Sequence, residues 1–176
     1  MLTIQAITLR EIRLPLREPF RISSGVVSER RIPLVELRDC DGVTAWGECV
    51  AGESPNYSPE TIDTAWLALR QWVAPRILGV PLNGPRSAHE VLGRDFRGHE
   101  MAKGAVEMAV WALAAEREGV SLSRLLGGVK ERIPVGVSLG IQPTPEALVE
   151  RAAVAQREGY RKIKLKIEPG SDIEFV

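Results

Sequence analysis

The sequence predicts an α+β domain followed by the opening of a parallel α/β domain. Three observations predict it. The first third reads as short strands around an Asp41-Gly42 turn, the middle third takes up helical spacing, and the last third runs strand, helix, strand.

Residues 2–16 are rich in Ile, Leu and Thr with broken alternation, and Pro15 and Pro19 are expected to end that strand. Residues 34–38 and 43–49 read as two more strands. Asp41-Gly42 between them signals a hairpin, because both central residues of a type I′ turn need φ > 0. The stretch 21–28 holds Ser23, Ser24 and Gly25 without a packing pattern and is expected to be a mobile loop.

Ser58 is the expected N-cap of the first helix, with Pro59 at its first position. Ile62, Ala65, Trp66, Leu69 and Val73 then recur at helical spacing until Pro75 stops the run. Ser87 and Glu90 form a capping-box pattern ahead of Val91 and Leu92. Residues 100–118 predict a third helix whose Ala102, Ala105, Ala109 and Ala112 make a face of small residues, with Gly119 as its stop.

Residues 133–139 read as a strand. Thr144 and Pro145 open a helix containing Leu148, Ala152 and Ala155 that ends at Gly159, and residues 160–167 read as another strand. A unit of this kind predicts parallel strands and a right-handed connection. Glu168-Pro169-Gly170 is a turn, and six residues follow it. Two parallel strands do not close a barrel, which takes about 250 residues, so the sequence is expected to be cut short. The expected boundary puts residues 1–128 in the α+β domain and 129–176 in the barrel opening.

Composition narrows the partners. Lys plus Arg number 23 and Asp plus Glu number 23, so no basic excess offers a footprint for nucleic acid or an anionic membrane. Small molecules are the expected partners. No stretch approaches the roughly 18 apolar residues of a membrane span, and residues 1–20 lack a signal-peptide h-region. Cys40 and Cys49 are too few for a disulfide framework and read as two buried, reduced thiols. A cytoplasmic protein is expected. His89 and His99 lack ligand spacing, and Gly127-Gly128-Val129-Lys130 lacks the spacing of a phosphate loop.

The stretch Tyr160-Arg-Lys-Ile-Lys-Leu-Lys-Ile167 carries the most chemistry. Strand side chains alternate faces, so Ile163, Leu165 and Ile167 share one face while Lys162, Lys164 and Lys166 share the other. In a barrel the lysine face points inward, and Lys164 and Lys166 lie near the carboxyl-terminal mouth where barrel active sites form. Two ammonium groups about 7 Å apart on one strand face repel, and burial also favours the neutral amine. A neutral amine is what a base needs to take a proton from carbon. An edge strand whose lysines discourage edge-to-edge pairing carries the same pattern.

The run Arg161-Lys-Ile-Lys-Leu-Lys-Ile-Glu-Pro-Gly-Ser-Asp172 resembles the second barrel strand of o-succinylbenzoate synthases that are also N-acylamino acid racemases. These belong to the enolase superfamily, of mandelate racemase/muconate lactonizing type. Gly98-His-Glu-Met-Ala-Lys-Gly-Ala-Val-Glu-Met-Ala-Val110 and Pro134-Val-Gly-Val-Ser-Leu-Gly-Ile141 resemble the same family, as do Leu14-Pro-Leu-Arg-Glu-Pro-Phe-Arg21 and Trp46-Gly-Glu-Cys49.

The resemblance implies an α+β capping domain and a modified (β/α)7β barrel of TIM-like form, of which this chain holds the first βαβ unit. It implies abstraction of a proton α to a carboxylate, with Mg²⁺ or another divalent cation stabilising the enediolate. By motif, Lys166 is the implied catalytic base and Lys164 its partner, and Ser138 faces a small-molecule carboxylate substrate. Phe20, Arg21, Ser23 and Gly25 resemble the lid over the pocket, and Tyr57 falls in a second capping loop; simple packing is the competing account of Phe20 and Tyr57. The implied metal carboxylates and a second lysine lie on later strands, so none of the family's metal ligands is here, and Asp172 and Glu174 do not match them.

The implied activity is dehydration toward menaquinone or racemisation by a homo-oligomeric parent enzyme, with the 176-residue chain alone inactive. A dipeptide epimerase or muconate-type cycloisomerase is the alternative within the superfamily. A non-catalytic product that needs a partner chain to complete its barrel is the alternative of another class.

Overall fold

The structure is a computed structural model that describes residues 1–175. It divides into two compact units, one of residues Met1–Leu14 and Arg31–Val129, the other of Pro15–Arg30 and Lys130–Val176.

Strand β1 runs Leu2–Ile22, β2 runs Gly25–Asp39 and β3 runs Thr44–Glu48. A turn at Ser23 and Ser24 joins β1 to β2. The expected end of β1 at Leu16 and the expected mobile loop over 21–28 are therefore both corrected: two long strands run through these positions into a tight turn. The prolines are tolerated because of where β1 lies. A short strand β4, Pro81–Leu82, pairs with β1 only at Leu2 and Thr3, so further along that side of β1 is an edge. Pro15 and Pro19, four residues apart, turn their missing N–H groups to one side of the strand, which an edge allows.

The hairpin expected at Asp41-Gly42 forms, with Arg38 opposite Thr44, but its turn is not type I′. Gly42 donates to the Asp39 carbonyl at 3.2 Å, and of the two expected residues only Gly42 has positive φ, at 85°. The loop is the longer kind that places a single left-handed glycine before the next strand. The buried Asp39 carboxylate accepts from the N–H groups of Asp41 and Val43, at 3.0 and 2.9 Å, and from Arg117. Cys40, expected to be buried, is exposed beside this turn, whereas Cys49 is buried, and burial pushes its thiol pKa up.

Helix α1, Ile62–Ala68, starts three residues later than expected. Thr61 rather than Ser58 is its N-cap, in a reciprocal capping box with Thr64. The Ser58 hydroxyl donates instead to the Glu60 carbonyl. Pro75 does not stop the run, because a π-helical turn over Leu69–Val73 precedes it and helix α2 continues to Ile77 (Ala74–Ile77). The widened turn accommodates a ring that would crowd the preceding carbonyl of a regular helix. Helix α3, Arg86–Gly93, has Pro85 at its N-cap and lacks the expected capping box; the Ser87 hydroxyl reaches back to the Gly84 carbonyl at 2.8 Å.

Helix α4 occupies Glu100–Glu118 with Gly119 as its left-handed C-cap, as expected, and α5, Leu122–Leu125, follows. Its first N–H groups are satisfied from a distance: Glu60, buried, accepts from Met101 and Ala102 at 2.8 and 3.1 Å. The sheet, in the order β3-β2-β1-β4, carries Val35, Leu37 and Ala45 on its helix-covered face. Glu36, Arg38 and Trp46 alternate to the other face, where Arg10 pairs with Glu36 at 3.1 Å and lies over the Trp46 ring. Gly47 is the point of closest approach to α4, since a Cβ there would lie 2.0 Å from the Ala105 carbonyl oxygen.

Gly47→Ala forces α4 off β3 and lowers stability by about 1–3 kcal/mol in urea unfolding; an unchanged midpoint would show that the helix is free to move. Burial opposes ionisation of Asp39, but Arg117 and the two backbone N–H groups outweigh it and hold its pKa below the ordinary 3.8. A carboxylate with a depressed folded-state pKa stabilises the fold above its unfolded value and loses that contribution as pH falls through the folded one. The stability gap between wild type and Asp39→Asn is therefore expected to be level above about pH 5 and to close in stronger acid; a gap that widens on acidification contradicts this.

Candidate functional site

The second unit contains the lysines. Strand β5, Val137–Leu139, and strand β6, Ile163–Leu165, pair in parallel, as expected, with Val137 beside Ile163, Ser138 beside Lys164 and Leu139 beside Leu165. Both are shorter than the expected 133–139 and 160–167. Gly136 lets the chains meet at the start of the pair, because a Cβ there would lie 2.8 Å from the Lys162 carbonyl oxygen. The ladder continues one residue past β6, where the Lys166 N–H donates to the Leu139 carbonyl at 3.0 Å.

Helix α6, Pro145–Arg157, connects the strands and starts as expected, with the Thr144 hydroxyl accepting from the Ala147 N–H at 3.2 Å. It packs against β5, and Leu139, Leu148 and Ala155 are buried. Register neighbours in a parallel pair point to the same face. Ser138 and Lys164 therefore share the face opposite Leu139, and both are exposed; Lys166, half-buried, follows at the carboxyl-terminal end. A short helix α7, Asp172–Phe175, closes the described chain and holds the two acids that match no ligand position.

The tip of the β1–β2 hairpin is part of this unit. The Arg21 carbonyl accepts from the Ile141 N–H at 3.0 Å, just beyond the carboxyl-terminal end of β5. Gly140 leaves room for it, since a Cβ there would lie 3.1 Å from the Arg21 carbonyl oxygen and 3.4 Å from the Phe20 ring. The Arg21 guanidinium donates to Glu168, two residues past Lys166, at 3.1 Å, and Arg151 of α6 reaches Glu18 at 2.6 Å. Ser23 and Gly25 lie exposed at the turn, where Gly25 has φ of 143°.

The structure thus brings Phe20, Arg21, Ser138, Lys164 and Lys166 into one unit, at the ends of two strands. Tyr57 belongs to the first unit, between β3 and α1, where it is 96% exposed and buried by no packing. Sequence reasoning missed Glu168, Gly140 and the Arg151–Glu18 pair. No local signal points to them, because Arg21 and Glu168 are 147 positions apart.

Among the described residues no group of three or more His, Cys, Asp or Glu side chains could hold a metal ion. The residues present therefore do not fit the divalent ion that the resemblance implies. Among the described residues, too, no helix is long and apolar enough to cross a membrane.

A helix-backed α+β domain followed by a parallel βαβ unit superposes closely on a member of the enolase superfamily, and its α+β part matches that superfamily's N-terminal domain. Residues 4–127 match the family described as mandelate racemase / muconate lactonizing enzyme, N-terminal domain, and the chain belongs to that family. The o-succinylbenzoate synthase of Geobacillus kaustophilus is 42% identical over 175 residues, which cover 99% of this chain and 46% of the relative. The N-succinylamino acid racemase of Thermus thermophilus is 42% identical over 173 residues, covering 98% and 46%. A crystal structure of an enolase-superfamily member from Listeria innocua superposes with a TM-score of 0.93 at 35% identity, covering 99% of this chain and 47% of that one. The chain spans about half the length of the curated relatives it matches. The wider family expected from the sequence, of mandelate racemase/muconate lactonizing type, is the family found.

Proposed function

We propose that this chain supplies the capping domain and the first lysine-bearing strands of an o-succinylbenzoate synthase that also racemises N-acylamino acids. What supports the reading most is the shared face of Ser138 and Lys164, with Lys166 at the next strand position and Phe20 and Arg21 across the end of β5. The relatives of both activities, at 42% identity, support the reaction class.

In this reading Lys166 removes the proton α to the substrate carboxylate. Lys164, two residues away on the same face, is the partner of that base. Ser138 offers a hydroxyl to the bound substrate from the adjacent strand. The hairpin tip, with Phe20, Arg21, Ser23 and Gly25, excludes water from the pocket. A divalent ion, Mg²⁺ in this superfamily, would supply charge neutralisation at the carboxylate; no group of the described residues fits it, and every role above belongs to the chain's own side chains. In dehydration the removed proton and a departing hydroxide leave as water; in racemisation a proton returns to the opposite face from a second base.

The test is α-proton exchange of an N-succinylamino acid in D₂O. The 176-residue chain alone is expected to give none. Joined to the remainder of the Geobacillus kaustophilus synthase it is expected to exchange, and Lys166→Ala to lower the rate by about 10²–10⁴-fold. Exchange by the isolated chain, or an active chimaera indifferent to Lys166→Ala, would refute the reading.

A further inference from the structure

We propose that Glu168 is a positioning residue: by pairing with Arg21 it seats the hairpin tip, and with it Phe20, on the carboxyl-terminal ends of β5 and β6. The contacts differ in what they fix. The bond from the Ile141 N–H to the Arg21 carbonyl, and the bare backbone of Gly140 beneath it, set where the hairpin meets β5. Neither reaches β6. The Arg21–Glu168 pair is the contact that carries the tip to the chain leaving β6, two residues beyond Lys166. The Arg151–Glu18 pair braces the stem against α6 further back. Arg21 thus acts through the hairpin's placement, its guanidinium already being engaged.

The pair is partly open to water, with 52% of the Arg21 and 30% of the Glu168 side chain exposed. Such a pair adds little to global stability. Its effect falls on the local equilibrium between seated and lifted hairpin, where a small bias changes how often Phe20 is in place. The pair also weakens at high ionic strength, as an exposed contact must. The role as a pocket wall rests on the function proposed above; the seating itself does not, and it is measured without turnover.

Amide hydrogen exchange separates the two. The Ile141 N–H reports seating because its acceptor is on the hairpin, and the Lys166 N–H reports β5–β6 pairing because its acceptor is Leu139. Glu168→Gln is expected to speed Ile141 exchange about two- to fivefold while leaving Lys166 unchanged. The charge swap Arg21→Glu with Glu168→Arg is expected to restore the slower rate. Unchanged Ile141 exchange in Glu168→Gln, an equal rise at Lys166, or failure of the swap to restore protection would each overturn the proposal. Absence of α-proton exchange in the unsubstituted chimaera, with Ile141 behaving as expected, would sink the function and leave the seating intact.

Discussion

The first unit depends on a close approach of two backbones. Helix α4 can lie on β3 only because Gly47 has no side chain and the facing residues, Ala105 and Ala109, are small. That proximity buries Val106, Val110 and Leu113 under the sheet and lets Arg117 reach Asp39 at the β2–β3 turn. It also sets the start of α4 where the Glu60 carboxylate can serve its first N–H groups. β1 and β2 each contribute residues to both units.

Elements whose determinants are local were legible in the sequence. Helix α4 has evenly spaced alanines and a glycine cap, and its observed limits are the expected ones. Thr144-Pro145 marks the start of α6 by the same logic, and the parallel pairing of β5 with β6 follows from the strand-helix-strand order. Elements decided by tertiary surroundings were not legible. Pro15 and Pro19 look like strand breakers until β1 is seen to have an open side. The start of α1 is a different case, a local signal assigned to the wrong residue: Ser58 and Thr61 are equivalent caps by type, and the reciprocal bond with Thr64 marks Thr61.

The same division runs through the candidate site. The alternation of Lys162, Lys164 and Lys166 with Ile163 and Leu165 is written in the chain, because a strand has a period of two. That Ser138 lies beside Lys164 required the register of the parallel pair. Phe20 and Arg21 were legible only as a family pattern, and the partner that engages Arg21 was not legible at all. A single charged pair across the fold leaves no trace in spacing or composition.

The discontinuity of the second unit has a consequence for assembly. Its two segments, Pro15–Arg30 and Lys130–Val176, are separated by most of the first unit. A growing chain makes the ribbon early, but its berth at Gly140, Arg151 and Glu168 does not yet exist. Joining ends so far apart carries a large closure entropy and slows folding. Prior collapse of the intervening residues would shorten the loop that must be closed, which favours docking of the ribbon as a late step.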